Sequence, residues 1–331
     1  MLRWIPALVL GGCGFQARAV GDDSPAMQPD DAAMAGIDGD APAMPAGDCW
    51  SKWLTAGGGS LAFSTIRPLL HQSDTNASER DPWVSRDGKR LYYAYDPSGA
   101  AGSQIYLASR TTSEDEFGTG DAIPNVSDPN LVQDGVSLTE DELILILASN
   151  RATATASDFY LSTRGAMNDT FPNGDDRFLQ TVNNLGAQAY DPSLTADGLR
   201  LYFSAPLSGG TQHILLSTRL ALTDSFGTPQ PVPVINDATK ADADPAVSRD
   251  ERVIVFSSFR PTGIPMTGAS NLWYATRQDP GASFGPPRPI PGVNSDKDDG
   301  DPRLSDDGCT LYFSSNRDGT TRDLFRAVVA P

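Results

Sequence analysis

The chain has 331 residues and a formal net charge of −17, from 42 acidic and 25 basic residues. This acidic balance disfavours binding to nucleic acid or to an anionic lipid surface, because both require a basic footprint. The length allows one large all-β domain or two ordinary domains. The only histidines are His71 and His213. Neither stands in a ligand-spaced motif, so zinc or triad chemistry based on histidine is unsupported.

The first twelve residues have the pattern of a secretory signal. Arg3 precedes a short apolar run that ends in Gly11-Gly12-Cys13, and this run is too short to span a bilayer. The tetrapeptide Leu10-Gly11-Gly12-Cys13 resembles the bacterial lipobox, whose Cys becomes the lipidated first residue of the mature chain. We therefore expect a lipoprotein signal peptide over residues 1–12 and lipidation at Cys13. The expected location is the bacterial cell envelope, anchored by lipid alone to the outer membrane and facing the periplasm or the cell surface.

The segment that follows is rich in Asp, Ala, Pro, Met and Gly and has no period. Such a composition cannot bury enough apolar surface to offset the entropy lost on ordering. We predict a lipidated, disordered tether over residues 13–58 and a folded domain over residues 59–331.

Within the folded domain the sequence repeats five times, at intervals of 53 to 57 residues. Each copy has an anchoring Ser or Thr, an apolar or aromatic residue eight positions later, and an Asp two positions after the anchor. The anchors are Ser85, Thr139, Thr195, Ser248 and Ser305. The Asp residues are Asp87, Asp141, Asp197, Asp250 and Asp307. Gly follows the Asp in three copies, and Asp-Gly between two apolar runs is typical of a tight hairpin, so we interpret all five Asp as structural turn residues.

The first four copies also predict four strands each. The run after the turn is rich in β-branched and aromatic residues and nearly continuous in apolarity, which indicates burial on both faces. A third strand ends in Arg, and seven residues later a Phe leads into a Pro-punctuated segment that suits an outer strand. The last copy lacks this fourth element, whereas an extra copy of it begins at Phe63.

A closed ring accounts for both the missing strand and the extra one. We predict an all-β fold, a five-bladed β-propeller of four-stranded blades, in which the N-terminal strand at about residues 63–70 completes the last blade. Closure of this kind leaves few strand edges exposed.

The clearest copy runs from Asp301-Pro302 through Asp307-Gly308 to Leu311-Tyr312-Phe313-Ser314-Ser315-Asn316-Arg317. This pattern resembles the WD40-like, or PD40, repeat of the TolB-like propeller lipoproteins. The second copy departs from it, with Gly135-Val136 in place of Asp-Pro, and Glu142 and Glu251 replace Gly in the second and fourth turns. The resemblance implies the β-propeller fold, but a fold by itself does not establish an activity.

Four carboxylates precede Pro in the innermost strands and are expected near one mouth of the central channel: Asp81, Asp191, Asp244 and Asp301. Convergent carboxylates can hold Ca²⁺ or bind another ligand. Alternatively, Asp-Pro begins a strand and the Asp side chain holds a turn. Apart from this Ca²⁺ hypothesis no cofactor is expected, no metal ligand is assigned, and no catalytic residue is identified.

Once Cys13 is assigned to lipid, Cys49 and Cys309 remain in an exported, oxidising setting. Cys49 lies just before the strand expected to close the ring, and Cys309 lies in the first turn of the last blade. One hypothesis is a disulfide between them that reinforces closure; the alternative is two separate thiols.

Taken together, these features favour a non-catalytic platform that binds envelope proteins or another ligand, with variable loops such as residues 260–268 as the contact surface. The alternative is a carbohydrate-binding or glycan-cleaving propeller that uses the carboxylates at the channel mouth, because glycoside hydrolases work with paired carboxylates.

Overall fold

The computed structural model describes residues 47–55, 61–69, 76–97, 102–153, 156–207, 210–263 and 269–331. The signal peptide, Cys13 and most of the tether lie outside the described residues, as do residues 264–268 of the variable loop named above. The described part contains two short helices, α1 (Trp50–Leu54) and α2 (Gln180–Asn183). Neither helix has the length and apolarity that crossing a membrane requires.

The other regular elements of the described part are strands, and they form five antiparallel sheets, numbered here as blades 1 to 5 in chain order. Blade 1 contains β2 (Ala77–Val84), β3 (Arg90–Pro97), β4 (Gln104–Ser109) and β5 (Asp121–Ala122). Blade 2 contains β6 (Gln133–Leu138), β7 (Ile144–Thr153) and β8 (Ala156–Thr163). Blade 3 contains β9 (Tyr190–Leu194), β10 (Arg200–Pro206), β11 (Gln212–Thr218) and β12 (Gln230–Pro231). Blade 4 contains β13 (Asp242–Val247), β14 (Val253–Ser258), β15 (Asn271–Thr276) and β16 (Arg288–Pro289). Blade 5 contains β17 (Asp299–Leu304), β18 (Thr310–Ser315), β19 (Asp323–Val329) and β1 (Phe63–Pro68).

The ring closes as the sequence predicted. Strand β1 pairs antiparallel with β19, from Phe63 opposite Val329 to Pro68 opposite Phe325. The all-β, five-bladed propeller and its closure by the N-terminal strand are therefore confirmed. In blade 2 the fourth position is reduced to a single bridge between Leu161 and Asp175.

The second strand of each blade is apolar on both faces, because its side chains point alternately toward the blade before it and the blade after it. We call the contact between two consecutive blades a seam. In β10, for example, Leu201 and Phe203 pack in seam 2–3, whereas Tyr202 between them packs in seam 3–4. Each seam thus has its own buried cluster, and all five join the blades into one ring.

The five hairpin turns share one hydrogen-bond pattern. Asp87 Oδ1 accepts hydrogen bonds from the Ser85 hydroxyl at 2.6 Å and from the Lys89 N–H at 3.0 Å. Asp141, Asp197, Asp250 and Asp307 make the equivalent pair of contacts. These are the contacts of turn residues, and they engage the carboxylates within the hairpins. The face of the ring that carries these hairpins is called the turn face below.

Helix α1 docks on the turn of blade 5. The Cys49 N–H donates to the Asp307 carbonyl at 2.8 Å, and Trp53 Nε1 donates to the Gly308 carbonyl at 2.8 Å. The structure joins Cys49 to Cys309 with Sγ atoms 2.09 Å apart and Cα atoms 4.9 Å apart. This Cα separation lies in the range that a disulfide spans.

Candidate functional site

The four Asp-Pro positions share an unusual backbone conformation. Asp81, Asp191, Asp244 and Asp301 have φ values of 54°, 54°, 53° and 51°. The ladder between the first and second strands loses register at this point in every blade. Blade 2 has Gly135 there, at φ 60°, and Gly adopts this region without strain. The backbone therefore needs a left-handed residue, and Asp is one of the few others that tolerates it.

The structure brings all four carboxylates to one end of the central channel. With Gly135 they line a cavity of about 40 Å³, which we call the acidic mouth. The cavity has room for a few water molecules. It is far smaller than the pockets of several hundred Å³ that usually hold small-molecule ligands.

Most of the mouth carboxylates accept a hydrogen bond from a Ser in the next strand of the same blade. The Ser204 hydroxyl donates to Asp191 Oδ2 at 2.6 Å and the Ser257 hydroxyl donates to Asp244 Oδ2 at 2.6 Å. Ser314 donates to Asp301 in the same way. Each of these contacts ties the bulged innermost strand to its neighbour.

Two carboxylates also link one blade to the next. Asp81 Oδ2 accepts from the Gly135 N–H at 2.9 Å, and Asp244 Oδ2 accepts from the Asp301 N–H at 3.2 Å. In both cases the donor is the equivalent residue of the following blade. At two of the five seams, therefore, the mouth carboxylates bind the next blade with an oxygen that could otherwise face a ligand.

Burial and mutual repulsion act on these carboxyls. Burial raises the pKa of Asp81 well above its usual range, and the charges of Asp301 and Asp134 add to the effect. Burial likewise raises the pKa of Asp191, together with the neighbouring Asp244 and Asp81. The pKa of Asp244 is raised by burial and by Asp301. Like charges this close favour a protonated carboxyl in the cluster.

Two arginines offset part of this charge. Arg322 Nη1 lies 3.5 Å from Asp301 Oδ2 and donates to the Ser314 hydroxyl at 2.8 Å. Arg80 Nη2 lies 3.2 Å from Asp134 Oδ1. Sequence reasoning missed both arginines because neither belongs to the repeat.

Below the mouth the channel narrows to a waist formed by Trp83 and Arg303. The Arg303 guanidinium carbon lies 5.2 Å from the centre of the Trp83 ring, within the range of a cation–π contact. Burial lowers the pKa of Arg303 to about 10, so the side chain stays charged at neutral pH. Both residues line the cavities on either side of the waist.

The far end of the channel, on the turn face, is lined by ion pairs. Arg86 Nη1 lies 2.5 Å from Glu140 Oε1, and Arg249 Nε lies 2.9 Å from Glu140 Oε2. Asp306 Oδ2 is 3.7 Å from Arg86 Nε. These residues all directly follow the repeat anchors, where residues of opposite charge recur. The recurrence of charged residues directly after the anchors indicates these ion pairs, but sequence reasoning did not use it.

The recurrent arginines at the ends of the third strands tie together the strands and turns of their own blades. Each guanidinium lies over the Phe seven residues later, 4.1 to 4.5 Å from the ring centre: Arg110, Arg164, Arg219 and Arg277. Each Nε also donates to a backbone carbonyl in the first hairpin turn of its own blade. The fixed spacing of Arg and Phe in the sequence thus reflects a stacked pair.

Among the described residues, no group of three or more His, Cys, Asp or Glu side chains is arranged to hold a metal ion. Calcium takes six to eight oxygen ligands, and the mouth oxygens named above already accept hydrogen bonds. Calcium binding at Asp81, Asp191, Asp244 and Asp301 stays a prediction.

No protein-family model and no curated protein matches the chain. Solved structures do resemble it. The catalytic domain of the GH62 α-L-arabinofuranosidase of Coprinopsis cinerea is 13% identical, with 82% of this chain and 98% of that chain covered and a TM-score of 0.55. The α-L-arabinofuranosidase of Podospora anserina in complex with cellotriose is 10% identical, with coverages of 80% and 95% and a TM-score of 0.51. TolB from Acinetobacter baumannii is 15% identical, with coverages of 76% and 54% and a TM-score of 0.46. At these identities the likeness extends to the propeller fold alone.

Proposed function

We propose that this protein is an exported, lipid-anchored protein of the bacterial cell envelope whose propeller is a non-catalytic binding platform. The signal-like residues 1–12 and the lipobox-like Cys13 support export and anchoring. The acidic segment after Cys13 supports a tether that holds the propeller away from the outer membrane.

The observation that carries the non-catalytic function is the small volume of the cavity at the acidic mouth. The acidic mouth is a cavity of only about 40 Å³, and Trp83 and Arg303 contact each other at the waist below it. A sugar ring needs more space than this, whereas a binding platform needs only the outer surface of a rigid ring.

The platform surface is the face that surrounds the acidic mouth. The second strand of each blade ends on this face. Among the described residues, two exposed aromatic side chains lie here: Tyr190, the first residue of β9, is 38% exposed, and Phe259, directly after β14, is 44% exposed. Exposed aromatic residues on a rigid frame are typical of protein contact sites. The partner we propose is therefore an envelope protein.

This proposal is tested by capture from envelope extract with three forms of the full chain. We expect wild type to recover a defined partner and the double variant Tyr190→Ala/Phe259→Ala to lose it. Leu220→Ala serves as the matched control, because Leu220 is 93% exposed and follows the end of β11 on the opposite, turn face. Equal recovery by all three forms would count against the mouth face as the binding surface.

One observation favours the alternative, a glycan-binding or glycan-cleaving propeller. Asp191 and Asp244 have raised pKa values and neighbour each other. Glycosidases use a protonated carboxyl as general acid together with a second carboxylate. The test is a screen of envelope and plant-type glycans for binding and turnover. We expect no turnover. Turnover by wild type that is lost in Asp191→Asn and kept in Asp197→Asn, a turn variant of the same blade, would replace our proposal with the alternative.

A further inference from the structure

Every seam repeats one arrangement, in which two alternate residues of a second strand face a turn residue of the next blade. In seam 1–2 these residues are Arg90, Tyr92 and Glu142. Arg90 Nη2 lies 2.7 Å from Glu142 Oε1, and the Tyr92 hydroxyl donates to Glu142 Oε2 at 2.8 Å. Glu142 is 2% exposed, so its carboxylate is a buried plug that joins two blades.

Seam 3–4 has the same plug. Arg200 pairs with Glu251, and the Tyr202 hydroxyl donates to Glu251 Oε2 at 3.2 Å. Arg277, from the third strand of the next blade, donates through Nη2 to the same oxygen at 3.1 Å and to the Tyr202 oxygen at 3.3 Å. Burial and Glu251 raise the pKa of Tyr202 to about 12, so its hydroxyl keeps its proton and donates.

Two other seams, 2–3 and 4–5, have Gly in place of the buried Glu, and the Gly packs against neighbouring side chains. In seam 2–3 the turn residue is Gly198, and a Cβ there would lie 2.9 Å from Thr139 Cγ2 of blade 2 and 3.0 Å from Leu222 Cδ2 of its own blade. In seam 4–5 the turn residue is Gly308, and a Cβ there would lie 2.8 Å from the Trp50 ring. The facing second-strand residues of these two seams are Ile or Val, so neither strand supplies the Arg and Tyr donors that meet the turn Glu of seams 1–2 and 3–4.

Seam 5–1 has the donors without the carboxylate. Tyr312 stands where Tyr92 and Tyr202 stand, and Arg110 stands where Arg277 stands, with Nη2 donating to the Tyr312 oxygen at 3.1 Å. The turn residue is Gly88, and a Cβ there would meet no atom closer than 3.4 Å. In the described part of the chain, no carboxylate lies within 4.0 Å of the Arg110 guanidinium. In the plugged seams, by contrast, Arg277 pairs with Glu251, and Tyr92 and Tyr202 each donate to a turn Glu.

The space left by the missing side chain is open. Gly88, Arg110 and Tyr312 line a cavity of about 670 Å³ on the turn face, opposite the acidic mouth. This volume falls in the range of small-ligand pockets. Burial raises the pKa of Tyr312, so its hydroxyl is a donor at neutral pH.

Other charges in this cavity are already paired. Arg67 and Arg326 both bind Glu116, at 2.8 and 3.2 Å. Arg86 binds Glu140, and the lining Asp87 and Asp307 hold their hairpin turns. The exposed Glu114 also lines the cavity and repels an anion. Arg110 is thus the cation left to receive an anionic group, and Glu114 limits how tightly it does so.

We propose that seam 5–1 binds a ligand carboxylate in the place where Glu142 and Glu251 put their own. One carboxylate oxygen accepts hydrogen bonds from Arg110 Nη2 and the Tyr312 hydroxyl, and the rest of the ligand occupies the cavity toward Thr310 and Ser85. The chemical class is a small carboxylate, from either a sugar acid or an acidic peptide side chain. This site lies on the opposite face from the proposed protein-binding surface and does not depend on it.

The test follows the ¹⁵N-labelled Nε–H resonance of Arg110, assigned by its loss in Arg110→Lys. The probes are D-glucuronate and N-acetylglutamate amide, with D-glucose and N-acetylglutamine amide as neutral counterparts. We expect at least one acid to cause a saturable shift that its neutral counterpart does not, and the comparison of the two acids separates the sugar source from the peptide source. A null result with both acids would overturn the proposal, and so would equal shifts with the neutral counterparts.

Two variants test the geometry. Gly88→Glu supplies the carboxylate from the chain itself, in a turn where Glu142 and Glu251 show that Glu is tolerated at φ 56° and 55°, and we expect it to abolish the shift. Tyr312→Phe removes one donor and is expected to weaken binding roughly tenfold or more. Gly319→Glu adds the same charge at an open position of blade 5 and is expected to leave binding unchanged. Undiminished binding by Gly88→Glu would refute the site, and if that variant does not fold, undiminished binding by Tyr312→Phe would do so.

Discussion

At the scale of single residues, the acidic mouth combines a backbone requirement with a hydrogen-bonding one. A non-glycine residue in the left-handed region costs of the order of 1–3 kcal/mol. Gly135 avoids this cost in blade 2, whereas Asp191 and its equivalents accept it. Asp also supplies a carboxylate, which in blade 3 accepts a hydrogen bond from the Ser204 hydroxyl and in other blades from the equivalent Ser. The recurrence of Asp-Pro is thus explained by the bulge and its hydrogen bonds.

Replacement of Asp191 by Asn is expected to remove a pH-dependent loss of stability. Burial and the neighbouring Asp244 raise the pKa of Asp191 in the folded chain. Above the ordinary Asp pKa of about 4, the unfolded chain therefore binds fewer protons than the folded chain, and the free energy of unfolding falls as pH rises. Asn tolerates the left-handed backbone and can still accept the hydrogen bond from Ser204.

The measurement is urea unfolding of wild type and Asp191→Asn from about pH 4 to about pH 7, around the ordinary range of an Asp carboxyl. The variant should gain stability relative to wild type as pH rises. Asp224→Asn, an exposed position of the same blade, should show no such trend. A constant difference between wild type and Asp191→Asn across the range would contradict the raised pKa.

At the scale of secondary-structure elements, strand β1 decides whether blade 5 is complete. Leu69, just after β1, donates its N–H to the Leu324 carbonyl at 2.9 Å, and Thr65 lies opposite Val328 in the same ladder. The alternation of an antiparallel ladder then directs the Thr65 N–H toward β19 as well. The outer strands of blades 3 and 4 contain Pro231 and Pro289, so these blades cover their edges with short elements of their own repeats, whereas blade 5 depends on β1.

Thr65→Pro is expected to destabilise the ring because proline cannot donate to β19. We expect the free energy of unfolding to fall by about 1–3 kcal/mol. Thr65→Ala is the control: it removes a largely exposed side chain and keeps the N–H, so its effect should be small. Unfolding midpoints in urea compare the two. If proline and alanine have the same effect, the pairing of β1 with β19 contributes nothing to closure.

At the scale of the whole molecule, the ring is closed twice. Strand β1 closes the sheet, and the segment before it covers the last turn through Trp50, Trp53 and the Cys49–Cys309 pair. Gly308 is required there because a Cβ would lie within 3.0 Å of the Trp50 ring. The N-terminal segment therefore acts as a clasp on the blade that begins and ends the circle.

The disulfide between Cys49 and Cys309 remains a prediction for the protein in solution. Non-reducing mass spectrometry of a proteolytic digest should recover the two cysteine peptides as one linked species. Cys49→Ser is expected to lower the free energy of unfolding by about 2–4 kcal/mol. A reducing agent should bring wild type to the stability of the variant and leave the variant unchanged. Free thiols at both positions would show that the clasp relies on packing alone.

Local patterns of the sequence determined much of this architecture. The spacing of Ser305, Asp307 and Phe313 and of their equivalents reports one hairpin each, and a hairpin is set by residues close together in the chain. The count of outer strands, with Phe63 placed before the first repeat, was enough to predict closure. The convergence of the four Asp-Pro residues followed from the same symmetry.

Only the tertiary structure decided what lies between blades. Arg90 meets Glu142 and Arg303 meets Trp83 across long stretches of chain, and no local period records such partners. The repeat makes all five seams look equivalent, yet one is plugged by Trp50 and another leaves Arg110 and Tyr312 without a carboxylate. The physical reason is that hydrophobic periodicity specifies which face of a strand is buried. The side chains that pack against that face belong to the neighbouring blade, and the periodicity of the strand does not identify them.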